Sequence, residues 1–99
     1  MKEVWKDLLE FKGNYKISNF GYIKSIKRNI ILKPWKAHDG YLYIRFGGNK
    51  NKAIHRIIME TFIGVSKLDV NHIDGNKLNN RLDNLNIALD PKIYYMQIL

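Results

Sequence analysis

The hydrophobic period of this chain changes once, near residue 54, and that change restricts the folds open to it. Before it, apolar residues come in short runs: Tyr22-Ile23-Lys24-Ser25-Ile26, Ile30-Ile31-Leu32 and Tyr41-Leu42-Tyr43-Ile44-Arg45-Phe46. Alternation of apolar and polar positions, rich in β-branched and aromatic residues, is the pattern of half-buried strands. Turn chemistry separates the runs at Gly13-Asn14, Ser18-Asn19-Phe20-Gly21 and Asp39-Gly40. Gly47-Gly48-Asn49-Lys50-Asn51 reads as a hairpin loop before Lys52-Ala53-Ile54. Pro34 halts the second run, because proline cannot donate to a sheet ladder. Beyond the change, Ile54, Ile58 and Phe62 recur at helical spacing over 55–63, with Gly64 as the stop. The pattern predicts an α+β chain with a small antiparallel N-terminal sheet followed by a short helix.

A chain of 99 residues suits one compact domain or two small modules sharing a core. It has no cysteine, which excludes disulfides, zinc–thiolate sites and thiol nucleophiles. A secreted domain of this size usually carries disulfide staples, and the opening Met1-Lys2-Glu3-Val4-Trp5-Lys6-Asp7 lacks the apolar run of a signal peptide. No apolar run is long enough to span a bilayer. A cytoplasmic location with no membrane partner is expected.

The net charge of +8 is unevenly placed. Residues 1–56 hold 13 Lys and Arg against 4 Asp and Glu, whereas residues 57–99 hold 4 against 5. The first part therefore reads as a polyanion-binding surface. Lys24, Lys27, Arg28, Lys33, Lys36, Arg45, Lys50 and Lys52 fall on predicted strands and hairpin tips. Each alone is an ordinary solvated charge; together they suit a phosphate backbone. Trp5, Trp35, Tyr41, Tyr43 and Phe46 read as core or sheet-face residues, with base stacking as the sharper alternative.

Val70 to Ile87 is dense in Asn, Asp and Gly, with Leu78, Leu82, Leu85 and Ile87 as its apolar anchors. Such oxygen- and nitrogen-bearing groups are those that hard divalent cations accept. Asp74-Gly75-Asn76 is also a good turn in its own right. Asp90-Pro91 then reads as a helix cap and first-turn proline, opening a final helix to about Leu99.

Within that segment stand His72, Asp74-Gly75-Asn76, Asn79-Asn80 and, twelve residues after the histidine, Asn84-Leu85. This spacing resembles the HNH endonuclease family, in the version found in phage and intron homing endonucleases. The preceding residues resemble that family's N-terminal DNA-binding module: Trp5, then Tyr15 to Ser25, Gly40 to Leu42, and His55-Arg56 leading to Phe62. The resemblance runs over roughly residues 3–87. It implies a ββα-metal (His-Me finger) motif after the sheet and helix, with residues 1–53 as a basic DNA-binding module and 54–99 as the nuclease module of one compact unit.

The resemblance also implies roles. His72 is the general base; a histidine suits this because its ordinary pKa lies near neutrality. Asn71 stands at the first metal-ligand position, with Asp74 a further oxygen donor, or else a turn residue. Asn84 matches the family's central asparagine, which ties the loop together. The cofactor is a divalent metal, Mg²⁺ or Mn²⁺, and the partner is double-stranded DNA, bound by a monomer or weak dimer. His55, Arg56 and Arg81 join the candidate DNA contacts; for His55 a helix-surface and a site-supporting role are equally open. One departure stands out: the family places a last metal ligand nine residues beyond Asn84, and residue 93 is Ile. The chain is thus read as a metal-dependent DNA endonuclease. Its rivals are a catalytically impaired DNA-binding protein of the same fold, and a protein-interaction module using the basic face.

Overall fold

The computed structural model describes residues 1–87. Strands β1 (Trp5–Asp7), β2 (Tyr15–Ser18), β3 (Ile23–Ser25) and β4 (Ile30–Ile31) form an antiparallel meander in chain order. Strands β5 (Trp35–Lys36), β6 (Leu42–Phe46) and β7 (Lys50–Ala53) form a second. Helix α1 (Ile54–Phe62) follows, and β8 (Val70–His72) and β9 (Leu85–Ile87) close a two-stranded ribbon. The α+β order expected from the pattern is the one observed.

Two details differ from the sequence reading. The N-terminal strands make two sheets, with Pro34 between β4 and β5, where a residue without an N–H interrupts the ladder. Trp35–Lys36, too short to carry a periodic signal, becomes a strand through its pairing with Tyr43 and Leu42. The hairpin loop is also shorter than expected. Lys50 pairs with Phe46 and Asn51 with Arg45, so only Gly47–Asn49 turns the chain. Cross-strand partners for both residues extend the ladder beyond what their polar side chains suggest.

Alternation along the strands turns Ile17, Ile23, Ile44 and Phe46 inward against Ile54, Ile57, Ile58 and Met59 of α1, with Leu8 and Leu85 completing the core. Phe11 stacks on Phe46 with ring centroids 4.3 Å apart, and Tyr15 meets Phe46 edge-on at 4.9 Å, joining the two sheets. Helix α1 ends where the N–H groups of Ile63 and Gly64 both donate to the Met59 carbonyl, each at 2.9 Å. It touches β6 and β7 and also β8, β9 and the short 3-10 turn Leu82–Asn84. One helix is therefore the floor beneath both halves. Among the described residues no helix is long and apolar enough to cross a membrane. The helix expected from Asp90-Pro91, and Ile93 within it, lie outside the described residues.

Candidate active site

Strand β8 pairs with β9 in the register Val70 to Ile87, Asn71 to Asn86 and His72 to Leu85. Alternation along β8 sends His72 into the protein and Asn71 to the surface. His72 is buried, and its Nε2 lies 2.8 Å from Asn80 Oδ1. An amide oxygen can only accept, so Nε2 carries the proton and Nδ1 keeps the lone pair.

The loop between the strands is built around Asn84, which is also buried. Its Oδ1 accepts the Asp74 backbone N–H at 3.1 Å, and its Nδ2 donates to Asp74 Oδ1 and to the Asn79 carbonyl, both at 2.9 Å. Its own carbonyl accepts the Ile73 N–H at 2.8 Å. One side chain thus closes the loop by accepting and donating at once. Asp74 accepts two further bonds, from the Asn76 N–H to Oδ1 at 2.8 Å and from Asn79 Nδ2 to Oδ2 at 2.9 Å. The Asn79 amide, then the Asn76 N–H and the Asn84 amide, hold the Asp74 carboxyl below the usual carboxylate range.

The N-terminal module reaches into this loop. The Asn19 carbonyl accepts the Leu82 N–H at 2.8 Å. Gly21 has a φ of +95°, and a Cβ there would stand 3.0 Å from the Asn80 carbonyl oxygen. The turn between β2 and β3 therefore abuts the residue that holds His72.

On another side of His72 sits an aromatic group. Ring centroids lie 4.5 Å apart for Tyr41 and His55, 5.6 Å for Tyr41 and His72, and 5.3 Å for His55 and His72. His55 is buried on the first turn of α1, and burial first, then the charges of His72 and Arg56, push its pKa down to about 4. Lys77 Nζ lies 4.7 Å over the Tyr41 ring and donates to the Asp39 carbonyl at 2.9 Å. The Asp39 carboxylate accepts the Tyr43 hydroxyl at 2.6 Å and the Tyr41 N–H at 3.0 Å.

The donors suit a hard cation in part. Asn71 is exposed, and its Nδ2 donates to Asn86 Oδ1 at 3.1 Å, which turns its own carbonyl oxygen away from that neighbour. Asp74 stays ionised, yet both its oxygens already serve the loop. Among the described residues no three His, Asp or Glu side chains converge to hold a metal.

The predicted DNA contacts lie in different settings. Lys27, Arg28, Lys33 and Lys36 are exposed, Lys24 is half-buried in β3, and Arg45 is exposed on β6 beside Asn49. Lys50 and Lys52 pair with Phe46 and Ile44 across the ladder, so they share the core-bearing face, opposite to Arg45. Lys52 forms an ion pair with Glu10. Three of these residues face protein groups. His55 is buried against His72 rather than displayed to a phosphate. Arg56 donates to the Leu68 carbonyl at 2.8 Å and the Ser66 carbonyl at 3.1 Å, pinning the chain that leads into β8. Arg81 covers Phe20 at 4.5 Å and pairs with Asp83 at 3.3 Å, which offsets its charge. Sequence alone does not single out Asn80, Tyr41 and Lys77 for the roles they hold around His72; the Asn79-Asn80 doublet is the available signal for the first.

Comparison with known proteins matches this architecture. Residues 3–47 match the NUMOD4 motif and residues 52–88 the HNH endonuclease family. The chain belongs to the HNH endonuclease family, in the version with a NUMOD4 motif ahead of the nuclease motif. In particular, it is similar to the DNA endonuclease I-HmuI of Bacillus phage SP01, at 42% identity over 86 residues, which is 82% of this chain and 49% of that protein. It is 37% identical over 78 residues to the H-N-H endonuclease F-TflII of Escherichia phage T5, covering 72% of this chain and 40% of that protein. The solved structure describing DNA binding and cleavage by the HNH homing endonuclease I-HmuI superimposes with a TM-score of 0.76 at 37% identity, over 96% of this chain and 57% of that one. The chain thus spans about half the length of these relatives.

Proposed function

We propose that the protein is a metal-dependent DNA endonuclease of HNH type with His72 as the general base. The observation that carries this reading is the buried His72, its Nε2 proton directed to Asn80 within a loop closed by Asn84. His72 Nδ1 takes a proton from water, whose oxygen bonds to phosphorus as the P–O bond to the leaving sugar oxygen breaks. The family resemblance implies a 5′-phosphate and a 3′-hydroxyl as products. Asn80 fixes the tautomer this requires, and Asn84 with Asp74 sets the loop that presents the ring. A divalent ion such as Mg²⁺ or Mn²⁺, when bound, stabilises charge on the phosphate and the leaving oxygen. Asn71 is the described residue best suited to give it an oxygen, and Asp74 supports the site chiefly through the loop.

Residues 1–53 serve as the module that engages double-stranded DNA, with Lys27, Arg28, Lys33, Lys36 and Arg45 as its phosphate contacts, while 54–99 carry the chemistry on the shared core. A monomer with one such site nicks one strand. Plasmid nicking with Mg²⁺, Mn²⁺ or EDTA, for wild type and His72→Ala, tests the assignment. Nicking by the wild type alone, abolished by EDTA, is expected; equal cutting by both proteins, or none by either, overturns it.

A further inference from the structure

The hydrogen bond from His72 to Asn80 holds the imidazole at one atom. A ring held at one atom can still tilt about that bond, and a tilted ring points Nδ1 away from its water. The second restraint comes from Tyr41 and His55. The Tyr41 ring lies 31° from the plane of His72 and the His55 ring meets it at 61°; the two rings stand against each other and together cover one side of His72. Both partners are themselves anchored. His55 stands beside Ile54, Ile57 and Ile58 on the buried side of α1, and Tyr41 is covered by Lys77 and held at its N–H by Asp39. The His55 Nδ1 is buried with no hydrogen-bond partner among the described residues. The rings packed against it are those of Tyr41 and His72.

We propose that His55 is a positioning residue for His72: together with Tyr41 it forms an uncharged aromatic wall that fixes the plane of the His72 ring. The proposal rests on the reading of His72 as the base, but its structural half does not require that the chain cut DNA. Burial keeps the wall free of charge, so that no second cation opposes the one His72 becomes on taking a proton.

The test uses the full chain with His55→Ala, His55→Phe and Tyr41→Leu, each checked for folding by circular dichroism. ¹³C relaxation of the His72 ring reads how firmly its plane is held, and plasmid nicking separates kcat from KM. In wild type and His55→Phe, the His72 ring is expected to be as rigid as the backbone around it. In His55→Ala and Tyr41→Leu the ring becomes mobile, and kcat falls about ten- to a hundredfold with KM for DNA unchanged, the scale expected of a small misplacement of a reacting group. The proposal is overturned if His55→Ala or Tyr41→Leu leaves the ring as rigid as in wild type, or if folded His55→Phe fails as badly as His55→Ala. Should His55→Ala not fold, Tyr41→Leu removes the same wall from its other member and decides the matter. If the wild type does not nick DNA, the ring motion alone decides for or against the wall, and the absence of nicking counts against the nuclease reading instead.

Discussion

His72 Nε2 and Asn80 Oδ1 meet at 2.8 Å in a buried position, and the β2–β3 turn of the N-terminal module closes on Asn80 from behind. The Nε2–H form of His72 is therefore favoured by the loop that Asn84 closes, and that loop is backed by a different part of the fold.

Changing Asn80 tests the first half of that relationship. Asn80→Asp places a carboxylate against the imidazole and favours its protonated form. The acid limb of the nicking rate is expected to move to higher pH, whereas Asn80→Ala lowers the rate at every pH. A rate profile from about pH 5 to 9, spanning the ordinary histidine range, separates the two.

Gly21→Ala tests the second half. The new Cβ would approach the Asn80 carbonyl oxygen to 3.0 Å at a φ of +95°, so both sterics and backbone conformation oppose it. A loss of more than about 1 kcal/mol in urea unfolding is expected, together with reduced nicking from a residue that has no side chain of its own.

Asn84 is the most demanding position in the loop. Asn84→Ala removes one accepted and two donated side-chain bonds around a buried group and should cost about 3 kcal/mol. For a domain of this size that corresponds to a fall in Tm on the order of 10–20 °C. Asn84→Asp is no rescue, because its oxygens would face the Asp74 carboxylate where a donor is needed.

His55 makes stability depend on pH. Its pKa is lowered from 6.5 to about 4 in the folded state, so between those values the unfolded chain binds more protons. Its contribution is complete above pH 6.5 and declines as the pH falls towards 4, amounting to roughly 3 kcal/mol in all. Urea midpoints should decline across that window, and His55→Phe should flatten the decline.

The cations can be sorted by DNA binding. Replacing Lys27, Arg28 or Lys33 by Gln should weaken affinity and reduce the salt slope by about 1 for each phosphate left without its cation. Lys52→Gln and Arg56→Gln should leave the slope unchanged, because their partners are Glu10 and the chain at Ser66 and Leu68.

Much of this was legible in the sequence, for identifiable reasons. The helix over 54–62 announced itself through Ile54 and Ile58, whose spacing reports burial directly. The loop from His72 to Asn84 was readable because its hydrogen bonds are local, and local bonds demand particular side chains at particular spacings. The division of the N-terminal strands into two sheets was not, since Trp35–Lys36 is a strand only by virtue of its partners. The surroundings of His55 were hidden for the same reason: Tyr41, His55 and His72 are distant in the chain, and no local pattern says that the three rings meet. The cations suffered most, because a count of lysines carries no information about which face of a strand each one occupies.

Helix α1 packs against β6 and β7 and against the His72 ribbon, and Ile54 and Ile58 share with Ile17 and Ile23 the core cluster found among the described residues. This constrains how such chains can be recombined. A chimera joined at residue 53 would graft one relative's N-terminal sheets onto another's helix and force mismatched surfaces together across that core. Exchange of those sheets between relatives should therefore give a folded chain when the inward-facing residues of β2, β3 and β6 travel with the helix, and fail when they are left behind.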